Sequence, residues 1–253
     1  IFDAMRVGLM GVMKKVEKSG EKPDTSMLRR PVPVEVQKKI SDASMEFIGY
    51  DTKSPNAGGR LDETEHPFTT GYYDDVRITT HYHEDRWPSS LYSVLHEGGH
   101  AMYEQGLPPN WMFQPIGSSA SFGIHESQSR FVENMVGHSP DFLGYMLPRL
   151  KKIIGKPLRG VKLADFVTAV NVVEPSKIRI EADEVTYGLH IIIRFEMERD
   201  IFTGKLRVDE LPQAWNEKYD KYLGVEIEND SEGVMQDTHW ASGYYGYFPS
   251  YAL

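Results

Sequence analysis

The chain has 253 residues, 40% of them hydrophobic and 26% charged, with a formal net charge of −9 and no cysteine. That length supports one substantial core, while the acidic balance argues against nucleic acid or an anionic membrane surface as a partner. Without cysteine there are no disulfides, thiolate metal sites or cysteine nucleophiles, so any bound metal must be held by His, Asp or Glu.

Residues 1–18 place Phe2, Met5, Leu9, Met13 and Val16 at helical spacing, and the polar run SGEKPD closes the element. This opening lacks the cleavage pattern of a secretory signal, and no stretch reaches the ~20 apolar residues that span a bilayer, so the expectation is a soluble, cytoplasmic protein. Because the first residue is Ile and the helical pattern is already under way, the chain is expected to start inside a longer protein. After Pro31 and Pro33, VEVQKKISDASMEFIGY predicts a second amphipathic helix. SPNAGGRLDETEHP reads as a loop, and FTTGYYDDVRITTHYH, rich in Thr, Tyr, Val and Ile, predicts strands or a hairpin. From Pro88 the pattern is helical, at about 89–105, 125–137, 141–154, 162–173, 183–200 and 208–222, with a Gly/Ser-rich loop GSSASFG after the first of these and an aromatic, Gly-rich end. The expected fold is mainly α, a single domain over residues 1–253 with a small β-sheet or hairpin beside the helix at 89–105.

The helix predicted at 89–105 carries H-E-x-x-H as His96, Glu97 and His100. Positions i and i+4 lie on one helical face, so both imidazoles can reach one ion, and Glu97 beside them can take a proton from water without ligating. Apolar neighbours Leu91, Val94, Leu95, Ala101 and Met102 would bury these polar groups, a burial that a divalent cation compensates. Gly98 and Gly99 each cost a helix interior about 1 kcal/mol, which close approach of backbone or substrate would explain. A third ligand is required. The metzincin extension is excluded, since Tyr103 and Gly106 stand where its Gly and His would be. Glu126 and Glu133, seven residues apart on one helical face, are both candidates, and periodicity does not separate them.

The segments HPF (66–68), DVRIT (75–79), HEGGH (96–100), HESQ (125–128), IRIEAD (178–183) and GVMQDTHW (233–240) stand in the order found in the Taq-type thermostable zinc metallocarboxypeptidase family, which residues 60–253 resemble. The resemblance implies a mostly helical, homodimeric enzyme that removes single amino acids from peptide C-termini with Zn2+, or alternatively Co2+. It implies Glu126 as the third ligand with His96 and His100, and it implies that the chain is the central catalytic portion of a longer protein. Arg179 and Arg77 become candidates for binding the free α-carboxylate, which a guanidinium fork suits. For Arg179 the structural alternative is an ion pair with Glu181, Asp183 or Glu184. His66 is a candidate for lining the cleft. His239, oriented by Asp237, is a candidate oxyanion donor or general acid, with packing beside Trp240 as the alternative; the tyrosines of GYYGYFPSY could also donate. His81, His83 and His190 read as structural. Two other functions fit the same motif: a metallo-endopeptidase or dipeptidyl carboxypeptidase, and an inactive metal-binding fragment.

Overall fold

The computed structural model describes residues 1–252. The elements in chain order are α1 (Phe2–Ser19), α2 (Val34–Ile48), β1 (Gly59–Glu63), β2 (Thr69–Tyr72), β3 (Asp75–Thr80), α3 (Pro88–Gln105), α4 (Phe122–Arg130), α5 (Pro140–Ile154), α6 (Leu163–Val170), α7 (Glu184–Phe202) and α8 (Leu211–Leu223), joined by short single-turn helices. The fold is mainly α with one small sheet, as the periodicity predicts. Among the described residues no helix is long and apolar enough to cross a membrane. The chain divides into two compact units, Pro23–Val170 and a second made of Ile1–Lys22 with Asn171–Leu253.

In the first unit α3 is the central element. Leu91 and Leu95 on one side join Phe142, Leu143, Met146, Leu147 and Leu150 of α5 in a core. Val94 and Ala101 on another side pack with Val76 and Ile78 of β3. Each such fully buried aliphatic chain stabilises by roughly 1.5–3 kcal/mol, so two sides of α3 are fixed by apolar contact. The remaining side meets α4. The helices start and stop where local chemistry dictates: Gly49 ends α2 with φ 78°, and Ser139 caps α5 by accepting from the Phe142 N–H.

The sheet has the order β1-β3-β2, with β1 parallel and β2 antiparallel to β3. β2 and β3 form in the predicted strand region, but β1 lies in the stretch read from sequence as loop. GRLDE has a single apolar residue and little intrinsic strand preference. Its pairing is imposed from outside, by β3 and by Tyr50, whose hydroxyl accepts from Arg60 N–H (2.9 Å) and donates to Val76 O (2.5 Å). The predicted helix at 125–137 also differs: α4 ends at Arg130 and passes into a π-helical turn, Phe131–Val136.

The two glycines of α3 have distinct neighbours. A methyl group at Gly99 would lie 2.7 Å from Ser129 Cα and 2.8 Å from Gln128 O, both α4 backbone, whereas one at Gly98 would meet only the tip of the Ile48 side chain. Gly99 is therefore what lets α4 lie against α3. Gly99→Ala is expected to lower stability in urea unfolding even though Ala favours a helix by about 1 kcal/mol, because backbone overpacking costs about 1–3 kcal/mol. Gly98→Ala is expected to be the milder change, since Ile48 can rotate away.

In the second unit α1, α7 and α8 enclose a core of Leu189, Ile192, Ile193, Met197, Trp215 and Tyr219, against which Met5, Leu9 and Met13 of α1 pack. Asp183 caps α7 by accepting from Val185 and Thr186 N–H.

Candidate active site

The third side of α3 presents His96 and His100 towards α4, one turn apart. Glu126, in the middle of α4, points its carboxylate between them: His96 Nε2 lies 3.3 Å from Oε1 and His100 Nε2 lies 3.4 Å from Oε2. Glu126 is only 4% exposed. Its position follows from the N-terminus of α4, where the Ser121 hydroxyl accepts from Ile124 N–H and so sets the first turn. One ligand atom from each of these three residues lies within 4.8 Å of the others, a grouping that could hold a metal ion. Ligands at 2.0–2.1 Å around a tetrahedral ion stand ~3.3 Å apart, which matches the two nitrogen–oxygen separations.

The back of each imidazole is also engaged. His96 Nδ1 is 2.7 Å from Glu133 Oε2, which Arg130 Nη1 also reaches at 3.2 Å. His100 Nδ1 is 2.6 Å from His125 Nδ1, and His125 Nε2 is 2.7 Å from Glu104 Oε1. Glu133, the other candidate third ligand in the sequence, thus stands behind His96 and not between the rings.

With the His96 Nδ1–H donated to Glu133, a neutral His96 turns a lone pair at Nε2 towards a carboxylate oxygen that accepts no hydrogen bond. Two acceptors facing each other when buried are costly unless a cation lies between them. On protein charges alone, burial would lower the His96 pKa, but the carboxylates of Glu133, Glu126 and Glu97 outweigh it and raise the pKa above the ordinary imidazole value. For Glu133 burial acts upward, yet His96 and Arg130 hold the carboxyl below its ordinary range. The surroundings therefore favour positive charge at this point, and the donor set, two imidazoles and a carboxylate, fits a divalent ion.

Glu97, 6% exposed, faces the sheet side of the helix. Its Oε2 accepts from the Thr69 hydroxyl at 2.6 Å, and the same hydroxyl lies 3.0 Å from the Glu97 carbonyl oxygen. The β2 strand therefore fixes the rotamer of this carboxylate. His66 is exposed in the bend between β1 and β2. Arg77 lies on β3, half exposed, and pairs with Asp75 at 2.8 Å.

The second unit holds a separate polar group. Asp237 binds Arg179 through both Nε (3.0 Å) and Nη2 (2.7 Å), and binds Arg194 Nε at 2.5 Å. Gln236 Oε1 accepts from Arg194 Nη2 and from the Arg179 backbone N–H. Arg179 Nη1 donates to Tyr187 OH. Arg194 is fully buried and Arg179 6% exposed. Arg179 is thus paired with Asp237. His239 lies near this group, with Nε2 3.1 Å from Tyr251 OH and Nδ1 3.9 Å from Asp237 Oδ1, against the rings of Phe248 and Tyr247.

Sequence reasoning did not single out Thr69, Glu104 or Arg194. Glu104 had a signal, since 96, 100 and 104 share one helical face. Thr69 and Arg194 had none, because their partners are 28 and 43 residues away.

The sequence profile described as Carboxypeptidase Taq (M32) metallopeptidase matches residues 1–253. The chain belongs to the M32 metallopeptidase family. Over its whole length this M32 chain is 48% identical to "Thermostable carboxypeptidase 1" of Thermus thermophilus and 44% identical to "Carboxypeptidase 1" of Bacillus subtilis. It spans about half the length of these curated relatives, 49% of the first and 50% of the second. Among solved structures, "Crystal structure of M32 carboxypeptidase from Deinococcus radiodurans R1" matches with a TM-score of 0.92 at 40% identity, covering 99% of this chain and 50% of that one. "BsuCP Crystal Structure" matches with a TM-score of 0.92 at 44% identity, covering 99% and 50%. Family membership accounts for the six ordered motifs, and two of them, IRIEAD and GVMQDTHW, are joined by the Arg179–Asp237 pair.

Two outcomes are expected of this geometry. Glu133→Leu should weaken divalent-metal binding by about 10–100-fold in chelator competition, because the carboxylate behind His96 orients the ring. Asp237→Ala should lower stability in urea unfolding by about 3–5 kcal/mol, since it leaves two buried guanidinia without their counter-charge. Burial pushes the Asp237 carboxyl up, but Arg194 and Arg179 outweigh it and hold it below its ordinary 3.8. Its contribution is therefore complete above that value and lost as pH falls below it, so the variant's stability should depend less on pH in the acid range.

Proposed function

We propose that the protein is a metal-dependent carboxypeptidase that releases single C-terminal amino acids from peptides. The observation that carries this reading is the convergence of His96 Nε2, His100 Nε2 and the buried Glu126 carboxylate, with the Glu97 carboxylate clamped on the next position of the same helix. His96, His100 and Glu126 would hold the ion, zinc or alternatively cobalt. The ion when bound supplies Lewis-acid polarisation of the scissile carbonyl and makes a water easier to deprotonate.

The chain's own groups do the rest. Glu133 orients the His96 ring so that its Nε2 lone pair faces Glu126. Thr69 occupies Glu97 Oε2, leaving Oε1 as the oxygen that takes a proton from the attacking water and returns it to the leaving amine. The receptor for the free α-carboxylate is proposed to include Arg179 and Arg77, on the ground that a planar guanidinium binds a carboxylate at two points. In Arg179 the side formed by Nε and Nη2 is taken by Asp237 and one Nη1 hydrogen by Tyr187, which leaves one hydrogen on each Nη for a carboxylate. His239 is proposed as a donor to the developing oxyanion, supported by its ring being held against Tyr251 and Phe248, and His66 as a residue lining the approach to the site. Residues 1–253 as one catalytic domain and a cytoplasmic location belong to the same proposal and rest on the sequence pattern, while assembly as a homodimer rests on the family resemblance.

Timed mass spectrometry of one peptide with the metal-loaded protein tests the reading. A ladder of single-residue losses from a free C-terminus, with the amidated peptide left intact, is the expected result. Internal cleavage of the amidated peptide would make the protein an endopeptidase, losses of two residues a dipeptidyl carboxypeptidase, and tight metal without turnover a binding module. Glu97→Gln should lower kcat by about 10²–10⁴-fold with metal still bound; full activity in that variant would remove Glu97 from the role of base.

A further inference from the structure

The two candidate metal-holding imidazoles are supported differently from behind. His96 backs directly onto a carboxylate, Glu133, at 2.7 Å. His100 backs onto a second imidazole, and the carboxylate stands one ring further out: His100 Nδ1 to His125 Nδ1 is 2.6 Å, and His125 Nε2 to Glu104 Oε1 is 2.7 Å. All three side chains are largely shielded from solvent, 15%, 19% and 13% exposed. His125 is held in place by Tyr103, whose ring meets it edge-on at 5.0 Å and whose hydroxyl accepts from Ala120 N–H in the loop before α4.

We propose that His125 and Glu104 are positioning residues that fix the tautomer of His100, so that its Nε2 is a lone pair available to a metal ion. The inference rests on the reading that His96, His100 and Glu126 hold a divalent ion. Its steps follow from proton counting. Only one proton fits between two ring nitrogens 2.6 Å apart, so one Nδ1 donates and the other accepts. Glu104, an acceptor when ionised, requires the proton of a neutral His125 to be on Nε2. His125 Nδ1 is then a lone pair, so the shared proton belongs to His100 Nδ1. A neutral His100 with its proton on Nδ1 has Nε2 free, and Nε2 is the atom turned towards Glu126 Oε2. Glu104 thus sets the tautomer of His100 from two hydrogen bonds away. A carboxylate behind a ligating histidine is the usual arrangement; here a neutral ring is interposed, which keeps a negative charge out of direct contact with His100.

A purely structural tie between α3 and α4 would use the same contacts, and two substitutions separate the ideas. Asn at position 125 places an amide oxygen near the site of Nδ1 and gives up the bond to Glu104, whereas Leu removes both. Zn2+ affinity is read by chelator competition on the wild-type protein, His125→Asn, His125→Leu and Glu104→Leu, with thermal unfolding of each variant measured without metal. His125→Leu is expected to weaken binding by about 10–100-fold, Glu104→Leu by less, and His125→Asn to stay within about threefold of wild type. In the metal-free wild-type protein, histidine 15N NMR is expected to show His125 protonated at Nε2 and not at Nδ1. The proposal is overturned if His125→Asn loses as much affinity as His125→Leu, if His125→Leu binds as tightly as wild type, or if the NMR tautomer is the opposite one. Should His125→Leu fail to fold, the NMR assignment alone decides. His100→Ala and Glu126→Ala are the controls on the underlying reading: if they bind Zn2+ as tightly as wild type, the metal site lies elsewhere and the reading itself falls, whatever position 125 does.

Discussion

A buried carboxylate facing two imidazole nitrogens at 3.3 and 3.4 Å is the interaction on which the first unit is organised. Taking the Glu126 carboxylate out of water is costly, and that cost is offset only if positive charge is held beside it. Much of the surrounding structure bears on this point. Gly99 keeps a side chain out of the contact between α3 and the α4 backbone. Apolar contacts on two other sides fix α3 so that its histidine-bearing side cannot rotate away. The Ser121 cap sets where α4 begins, and with it which residue faces the rings.

The helix-period signal made α3 and its two histidines legible, because a four-residue spacing on an amphipathic helix has one geometric meaning. The choice between Glu126 and Glu133 was not legible from period alone. Seven residues bring both to the same face, and what separates them is position along the axis: Glu126 sits opposite the gap between the rings, while Glu133, carried on the π-helical turn, reaches past to Nδ1 of His96. A widened turn leaves no mark on hydrophobic periodicity, which is why 125–137 read as one regular helix. β1 was missed for a related reason, since its pairing comes from Tyr50 and β3 and not from its own composition.

The Arg179 environment shows the limit of local reasoning about charge. Glu181, Asp183 and Glu184 are near in sequence and were the natural partners, yet Asp183 is spent on capping α7. The guanidinium finds Asp237, 58 residues on, and shares it with Arg194. Two cations on one carboxylate leave a net positive charge that is costly to bury, and Gln236, Tyr187 and Tyr219 offset part of that cost by accepting from further guanidinium donors. Such networks are non-local by necessity, since no single segment can supply donors from all directions.

The placement of the polar groups in the first unit also bears on how the site could hold its shape. His96, Glu97, His100 and Glu104 lie on α3, Glu126 and His125 on α4, Glu133 on the π turn and Thr69 on β2. None lies on a free loop, and the Gly/Ser-rich segment before α4 contributes the Ser121 cap and the Ala120–Tyr103 bond. Groups carried by regular elements with packed backs lose little orientation between turnovers, which is the condition for a donor set to be preorganised. The single side chain that must change its protonation in the proposed chemistry, Glu97, is held by one hydroxyl from an edge strand. A rigid donor set beside a proton-transferring group tied by one hydrogen bond is the arrangement that lets a proton move without disturbing the ligands.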